Sequence, residues 1–293
     1  MVQSAKLFVY GTLRKNERYH HLMNDYTLIA EQAWVHGQLF DSGQGYPSLL
    51  TSENNKEKAF GELYEVTLAQ LELIDKLEDY IPGRKNNLYE RISLTIYTDK
   101  GKETAYVYVA NEAGGRLHPI KYGDWKLDHL MKNRPEKTHY FAYGSCMDTE
   151  RFLNANVGHF FKKVIGVAVL EKYSMKYTFS TSDGGRADLI EDGGRTEGIL
   201  YEVPYEGVEY LFKREGFYNN YYRPTFVDIV ANDTVIKSAL TFHVYEKLEE
   251  AAPPIHYATE ILRGSKGRVS EEYYRHLIHS LKKLNVKIEN IHV

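Results

Sequence analysis

The feature that most constrains this chain is an internal repeat, in which five short blocks occur twice in the same order. Lys6-Leu7-Phe8-Val9-Tyr10-Gly11-Thr12 returns as His139-Tyr140-Phe141-Ala142-Tyr143-Gly144-Ser145. Gly61-Glu62-Leu63-Tyr64-Glu65-Val66 returns as Gly198-Ile199-Leu200-Tyr201-Glu202-Val203, and Leu77-Glu78-Asp79-Tyr80 as Arg214-Glu215-Gly216-Phe217. Tyr89-Glu90-Arg91 matches Tyr221-Tyr222-Arg223, and Thr104 to Val109 matches Leu240 to Tyr245. A repeated order at similar spacing reads as two homologous domains, and 293 residues give room for both. Asn133-Arg134-Pro135-Glu136-Lys137, a short polar stretch with a proline, places the join, giving domains over 1–134 and 138–293.

Both copies carry the same coarse pattern. The first block is an apolar run ending at glycine, a buried strand entering a tight turn. The Gly-x-Leu-Tyr-Glu-Val and Tyr/Val blocks alternate as strands do. Asp183-Gly184 and Asp192-Gly193 read as hairpin-type turns in the second copy. One helix is expected in each copy, over 68–79 and 206–215, and the second copy continues into helices over 257–263 and 270–284. Ser270, followed by two glutamates, suits the start of the last one. The fold class expected is α+β, two tandem small β-barrels or curled sheets with extra C-terminal helices.

The expected helices place a carboxylate where their apolar stripe should continue. Val208, Leu211 and Phe212 lead on to Glu215, and Leu71 and Ile74 lead on to Glu78. Burial and the negative helix end both disfavour ionisation, so each carboxyl is expected to titrate high, as a general acid/base must. The plainer alternative at each is a hydrogen-bonded or exposed structural glutamate; recurrence in both copies weighs against it. Beside each glutamate the Tyr-Gly-Thr/Ser turn lets backbone N–H groups face an anion. Cys146 reads either as a nucleophile or as a small residue filling a buried loop, the latter being the commoner use of such a position.

Composition narrows the functional classes. A net charge of −3 gives no reason to expect nucleic acid or an anionic membrane as a partner. The Tyr-rich basic run from Lys213 to Arg223 fits a pocket wall as well as it fits a nucleic-acid surface. One cysteine excludes an intramolecular disulfide framework, and neither a leader's apolar region nor a membrane-length apolar run is present, so the expected location is cytoplasmic. His276/His279 and His20-His21 lack an evident third ligand, so no metal site is expected.

Tyr10-Gly11-Thr12-Leu13, Gly61-Glu62-Leu63-Tyr64, Leu77-Glu78-Asp79-Tyr80, Tyr89-Glu90-Arg91 and the closing Gly123-Asp124-Trp125 resemble the avirulence-induced-gene-like (AIG2-like) branch of the γ-glutamylcyclotransferase superfamily. The second copy resembles the γ-glutamylcyclotransferase branch proper, through Phe141 to Ser145, Arg186-Ala187-Asp188-Leu189-Ile190, Gly198 to Glu202, Glu215-Gly216-Phe217 and the helices from Tyr257 to Leu284. The resemblance implies tandem mixed β-barrels and an enzyme that cyclises a γ-glutamyl amine or peptide to 5-oxoproline, releasing the amine. It implies Glu78 and Glu215 as general acid/base. It also implies Tyr10, Gly11, Thr12, Leu13 and Tyr89, and Tyr143, Gly144, Ser145, Cys146 and Tyr222, as substrate-binding positions. No metal or organic cofactor is implied, and the partner is a small γ-glutamyl molecule. A rival reading is a binding module for γ-glutamyl or other small carboxylate ligands without turnover. Cys146 departs from the asparagine common after Tyr-Gly-Ser, and the first copy has a longer connection over 81–88, which could reshape its pocket or cover it.

Overall fold

Strand alternation sorts the first copy's side chains into two cores. The computed structural model describes residues 4–23, 25–51, 56–111 and 118–292. Residue contacts divide it into two units, Met1–Asn133 and Arg134–Val293. In the first unit the strands are β1 (Ser4–Val9), β2 (Thr27–His36), β3 (Gln38–Asp41), β4 (Pro47–Leu50) and β5 (Lys58–Thr67). Helix α1 (Leu68–Leu77) follows, then β6 (Tyr89–Thr98), β7 (Gly101–Ala110), β8 (His118–Pro119) and α2 (Trp125–Asn133). Strands β1-β5-β2-β6-β7 close into a barrel; β7 meets β1 in parallel at Leu7–Tyr106, and the other neighbours run antiparallel. Phe8 and Tyr10 join the core inside it, whereas Leu7 and Val9 pack with Leu71 and Ile74 of α1. Strands β4-β3-β8 form a separate small sheet.

The second unit repeats the barrel. Its elements are β9 (Thr138–Ala142), α3 (Thr149–Asn154), β10 (Lys163–Thr181), β11 (Gly184–Val203), α4 (Tyr205–Arg214), β12 (Tyr222–Ala231), β13 (Thr234–Val244), α5 (Ile255–Ser265) and α6 (Glu271–Lys283). The closed order β10-β11-β9-β13-β12 is that of the first barrel with each strand replaced by its equivalent, including the parallel contact, here Leu240–Tyr140. Ser270 caps α6, its hydroxyl accepting from the Tyr273 N–H at 3.1 Å. Among the described residues no helix is long and apolar enough to cross a membrane.

Pairing corrects three expectations. The parallel contacts equate Tyr106 with Leu240, so the last strand block matches two residues away from the alignment read from sequence. Tyr89 pairs with Ala110 and Tyr222 with Val244, so Tyr89 corresponds to Tyr222 as the first residue of its strand, not to Tyr221. Asp183-Gly184 does turn the β10–β11 hairpin, but Asp192-Gly193 lies inside β11 at a bulge, between the Lys172–Gly194 and Ser174–Ile190 pairs. A bulge adds unpaired residues to one strand without reversing it. The structure also adds helix α2, capped by Asp124, whose carboxylate accepts from the N–H groups of Lys126 at 2.8 Å and Leu127 at 3.2 Å.

Where β5 crosses β1, and β11 crosses β9, the chain has no room for a side chain. A Cβ on Gly61 would sit 2.3 Å from the Val9 carbonyl oxygen, and one on Gly198 would sit 2.3 Å from that of Ala142. Backbone cannot retreat as a side-chain tip can, so Gly61→Ala is expected to cost about 1–3 kcal/mol. Urea unfolding measures this; an unchanged midpoint would show that β1 moves freely.

Candidate active site

Both expected helices end one or two residues early, and this turns the glutamates into caps. Thr67 and Gln70 form a reciprocal capping box at the start of α1. At the other end the Glu78 N–H closes the helix on Ile74 O at 2.9 Å, and Asp79 turns the chain away in the left-handed conformation. Glu215 repeats this on Leu211 O at 2.9 Å, followed by Gly216 at φ +61°. Each glutamate side chain leaves the helix and lines a cavity next to the Tyr-Gly turn.

In the first domain that cavity has a volume of about 210 Å³. It brings together Glu78, Tyr10, Gly11, Thr12, Leu13 and Tyr89, every site residue expected for this copy. No described residue accepts a hydrogen bond from the Gly11, Thr12 or Leu13 N–H groups, which is the requirement for an anion cradle. Gly11 approaches Pro47 so closely that a Cβ would lie 2.6 Å from its ring. The Tyr10 hydroxyl donates to Tyr108 O at 2.7 Å; that of Tyr89 lies 3.2 Å from Pro47 O and 3.1 Å from the Ser48 hydroxyl. Burial above all pushes both phenols up, so they stay protonated. Tyr19, Tyr46, Leu77 and Leu88 complete the wall. Leu88 comes from the long connection, which Asn87 ties together through Ile81, Arg84 and Glu90.

Burial pushes the Glu78 carboxyl up to about 7. At that value it is charged in part of the molecules and neutral in the rest near neutral pH, as a group that both accepts and returns a proton requires.

The second domain assembles the same parts in a tighter space. Tyr143, Gly144, Ser145, Cys146, Glu215 and Tyr222 line a cavity of about 30 Å³, and Ser145, Glu215 and Tyr222 also border a cleft of about 200 Å³. The hydroxyl of Tyr143 donates to Phe242 O at 2.7 Å, and that of Tyr222 to Ala187 O at 2.8 Å. These bonds repeat Tyr10–Tyr108 and Tyr89–Pro47, so the two sites share one hydrogen-bonded frame. The difference lies beside the carboxylate. Glu215 Oε1 is 3.4 Å from Cys146 Sγ and 3.6 Å from Arg214 Nε, which itself lies 3.3 Å from the sulfur. Burial pushes the Cys146 thiol up despite Arg214, which suits a filler of the loop and not a thiolate nucleophile.

Several neighbours of the two sites were not singled out as site residues in the sequence. Tyr257 of α5 lies against both second-domain cavities, and its hydroxyl accepts from the Ala187 N–H at 3.2 Å. Arg214 adjoins Glu215 in sequence, but only the folded turn brings it beside the carboxylate. In the first domain Arg91 joins Asp75 at 2.6 Å, and Asp75 accepts from the Tyr108 hydroxyl at 2.7 Å, tying α1 to the barrel behind the pocket. Immediately after the cradle, Arg14 enters a buried cluster: Nη1 is 2.9 Å from Asp124 and Nε 3.4 Å from Glu62, which also meets Lys126 at 3.2 Å.

Comparison with known proteins finds relatives of both copies. The family described as "Gamma-glutamyl cyclotransferase, AIG2-like" matches residues 7–127, and the "AIG2-like family" matches residues 195–277. "Putative gamma-glutamylcyclotransferase YkqA" of Bacillus subtilis is 41% identical over 92% of this chain and 95% of its own. The crystal structure of YkqA superposes with a TM-score of 0.88 at 39% identity, covering 96% of this chain and 99% of that one. The "Gamma-L-glutamyl-butirosin B gamma-glutamyl cyclotransferase" of Niallia circulans is 40% identical across 43% of this chain and 78% of its own. By these matches the chain belongs to the γ-glutamylcyclotransferase/AIG2-like superfamily, a family of enzymes.

Proposed function

We propose that the chain cyclises γ-glutamyl amines or peptides to 5-oxoproline, with Glu78 as the proton carrier of the first site and Glu215 as that of the second. One observation carries the reading: a part-buried carboxyl pushed up to about 7 lines the same cavity as an unengaged row of backbone N–H groups. The substrate's α-carboxylate takes the Gly11–Leu13 N–H groups. Its α-amine attacks the γ-carbonyl carbon, forming the ring C–N bond while Glu78 accepts the amine proton. The amide C–N bond then breaks as Glu78 returns that proton to the departing nitrogen. Reacting groups that already share one molecule need only positioning and one mobile proton. Tyr10 and Tyr89 shape the wall, their hydroxyl protons being committed to carbonyl and hydroxyl partners.

The domains extend over 1–134 and 138–293, and the sites are unequal in activity. The first has the roomier cavity; the second keeps its carboxylate between a thiol and a guanidinium. Purified protein incubated with a panel of γ-glutamyl dipeptides and γ-glutamyl-ε-lysine should release 5-oxoproline. No turnover of any member, with binding retained, would favour a binding module instead.

The pH profile supplies a sharper test. Glu78 accepts a proton only when ionised, so kcat/KM of a Glu215→Gln variant should climb about tenfold per pH unit and level off near pH 7. A limb near the ordinary carboxylate value of 4.5 would mean that burial does not tune this group.

A further inference from the structure

Outside the Glu215 cavity the second domain opens into a cleft of about 200 Å³ bordered by Arg151, Arg186 and Arg214. Among the described residues Glu215 is the only acid on its walls. Arg214 lies 3.6 Å from that carboxylate and is thereby matched. Arg151 pairs with Glu260, and Arg186 pairs with Asp183 at 2.7 Å and lies over the Tyr257 ring, but neither acid faces the cleft. Burial first, and then the charge of Arg214, disfavours the charged form of Arg151, a sign of crowded cations. Arg186 Nη1 also donates to the Gly184 carbonyl at 3.3 Å and the Gly185 carbonyl at 3.1 Å. A guanidinium has five N–H donors in a fixed fork, so Arg186 still keeps its Nε–H and one Nη2 N–H, and Arg151 keeps donors beyond its Glu260 pair. In the first domain the corresponding wall includes Tyr19, Tyr46, Leu77 and Leu88, with no charged side chain besides Glu78 among the described residues.

Resting on the cyclotransferase reading above, we infer that the second site takes γ-glutamyl compounds whose leaving amine carries two anionic groups, as an acidic amino acid does. The glutamyl half sits at Gly144–Cys146 with its reacting amide at Glu215. The leaving half extends into the cleft, where Arg186 and Arg151 each take one anionic group. The first site, with aromatic and aliphatic walls, takes uncharged leaving groups. One chain then handles two classes of γ-glutamyl compound, divided by the charge on the amine released.

The test uses the full chain carrying Glu78→Gln, so that turnover reports the second site. The probes are γ-glutamylglutamate and γ-glutamylglutamine, alike in size and different by one charge. Release of 5-oxoproline should show kcat/KM about tenfold or more higher for the acidic probe, as for a lost charge-assisted hydrogen bond. Adding Arg186→Gln or Arg151→Gln should raise KM for γ-glutamylglutamate several-fold with kcat within about twofold, and Arg186→Lys should restore part of the loss. Equal kcat/KM for the two probes, or variants that raise both KM values alike, would overturn the inference. Calorimetric titration of both probes, repeated on the Glu78→Gln/Arg151→Gln/Arg186→Gln protein, reads the same preference without turnover. A charge preference in binding with no 5-oxoproline would sink the chemistry proposed for Glu215 and uphold the cleft. Turnover without charge preference would do the reverse.

Discussion

Glu78→Gln, made in a Glu215→Gln background so that only the first site is read, should lower kcat by about 10²–10⁴-fold. Glutamine keeps the shape and the hydrogen-bonding capacity but cannot take a proton, so KM should move little. Activity persisting in the double variant would remove both glutamates from the mechanism. The same substitution should act on stability in the opposite direction. Burial raises the folded carboxyl to about 7, above its ordinary 4.5. The stabilisation by the neutral acid is therefore complete below about pH 4.5 and is lost as pH rises through about 7. At pH 8 wild type carries a strained charge that glutamine lacks, and the variant should be more stable by about 1–2 kcal/mol. Thermal unfolding at pH 5 and pH 8 separates the cases, since the advantage should shrink at the lower pH. A gain in stability with a loss of turnover is the pattern of a residue held for chemistry.

Arg14→Met should produce the largest stability loss, about 3–5 kcal/mol, because it leaves Glu62 and Asp124 buried with an incomplete set of partners. Arg14, Glu62 and Asp124 are each no more than 3% exposed at the side chain. Burial by itself would raise Glu62, but Lys126, Arg14, the Lys15 N–H and the Tyr64 hydroxyl outweigh it and hold the carboxyl at about 2. A depressed folded value contributes stability above about pH 4.5, and that contribution fades as pH falls towards 2. The deficit of the variant, followed by urea unfolding, should therefore narrow across that window. A deficit independent of pH would mean that packing by the arginine stem, not its charge, holds the cluster. Because Arg14 follows Leu13 directly, the variant should also raise KM at the first site.

Much of the site is legible in the sequence. A glutamate ending an apolar helix stripe, and a glycine ending an apolar strand, are local patterns, and repetition doubled their weight. Tyr10, Gly11, Thr12, Leu13, Tyr89 and Glu78 do line one cavity, as do Tyr143, Gly144, Ser145, Cys146, Tyr222 and Glu215. The register was not legible in the same way. Side chains in strands alternate with period two, so sliding the Thr104 to Val109 block by two residues leaves its inward face unchanged. Only the parallel Leu7–Tyr106 and Leu240–Tyr140 contacts fix it. Adjacent tyrosines pose the same difficulty: Tyr222 is buried and Tyr221 is about half exposed, a choice made by the first pair of β12 with β13.

Taken by itself, the sequence determined the duplication, the barrel-type fold class and the position of both inward glutamates, because each is written in spacing along the chain. Tertiary structure alone decided what surrounds them. Arg14, Glu62, Asp124 and Lys126 become one cluster only when β5 and α2 are brought against the cradle. Arg151, Arg186 and Arg214 become one cleft only when α3, β11 and α4 converge. Charges far apart in sequence leave no periodic trace, and their meaning depends on distance and burial, which exist only in the folded chain. The duplicated frame is thus a property of the sequence, and the difference between its two sites is a property of the fold.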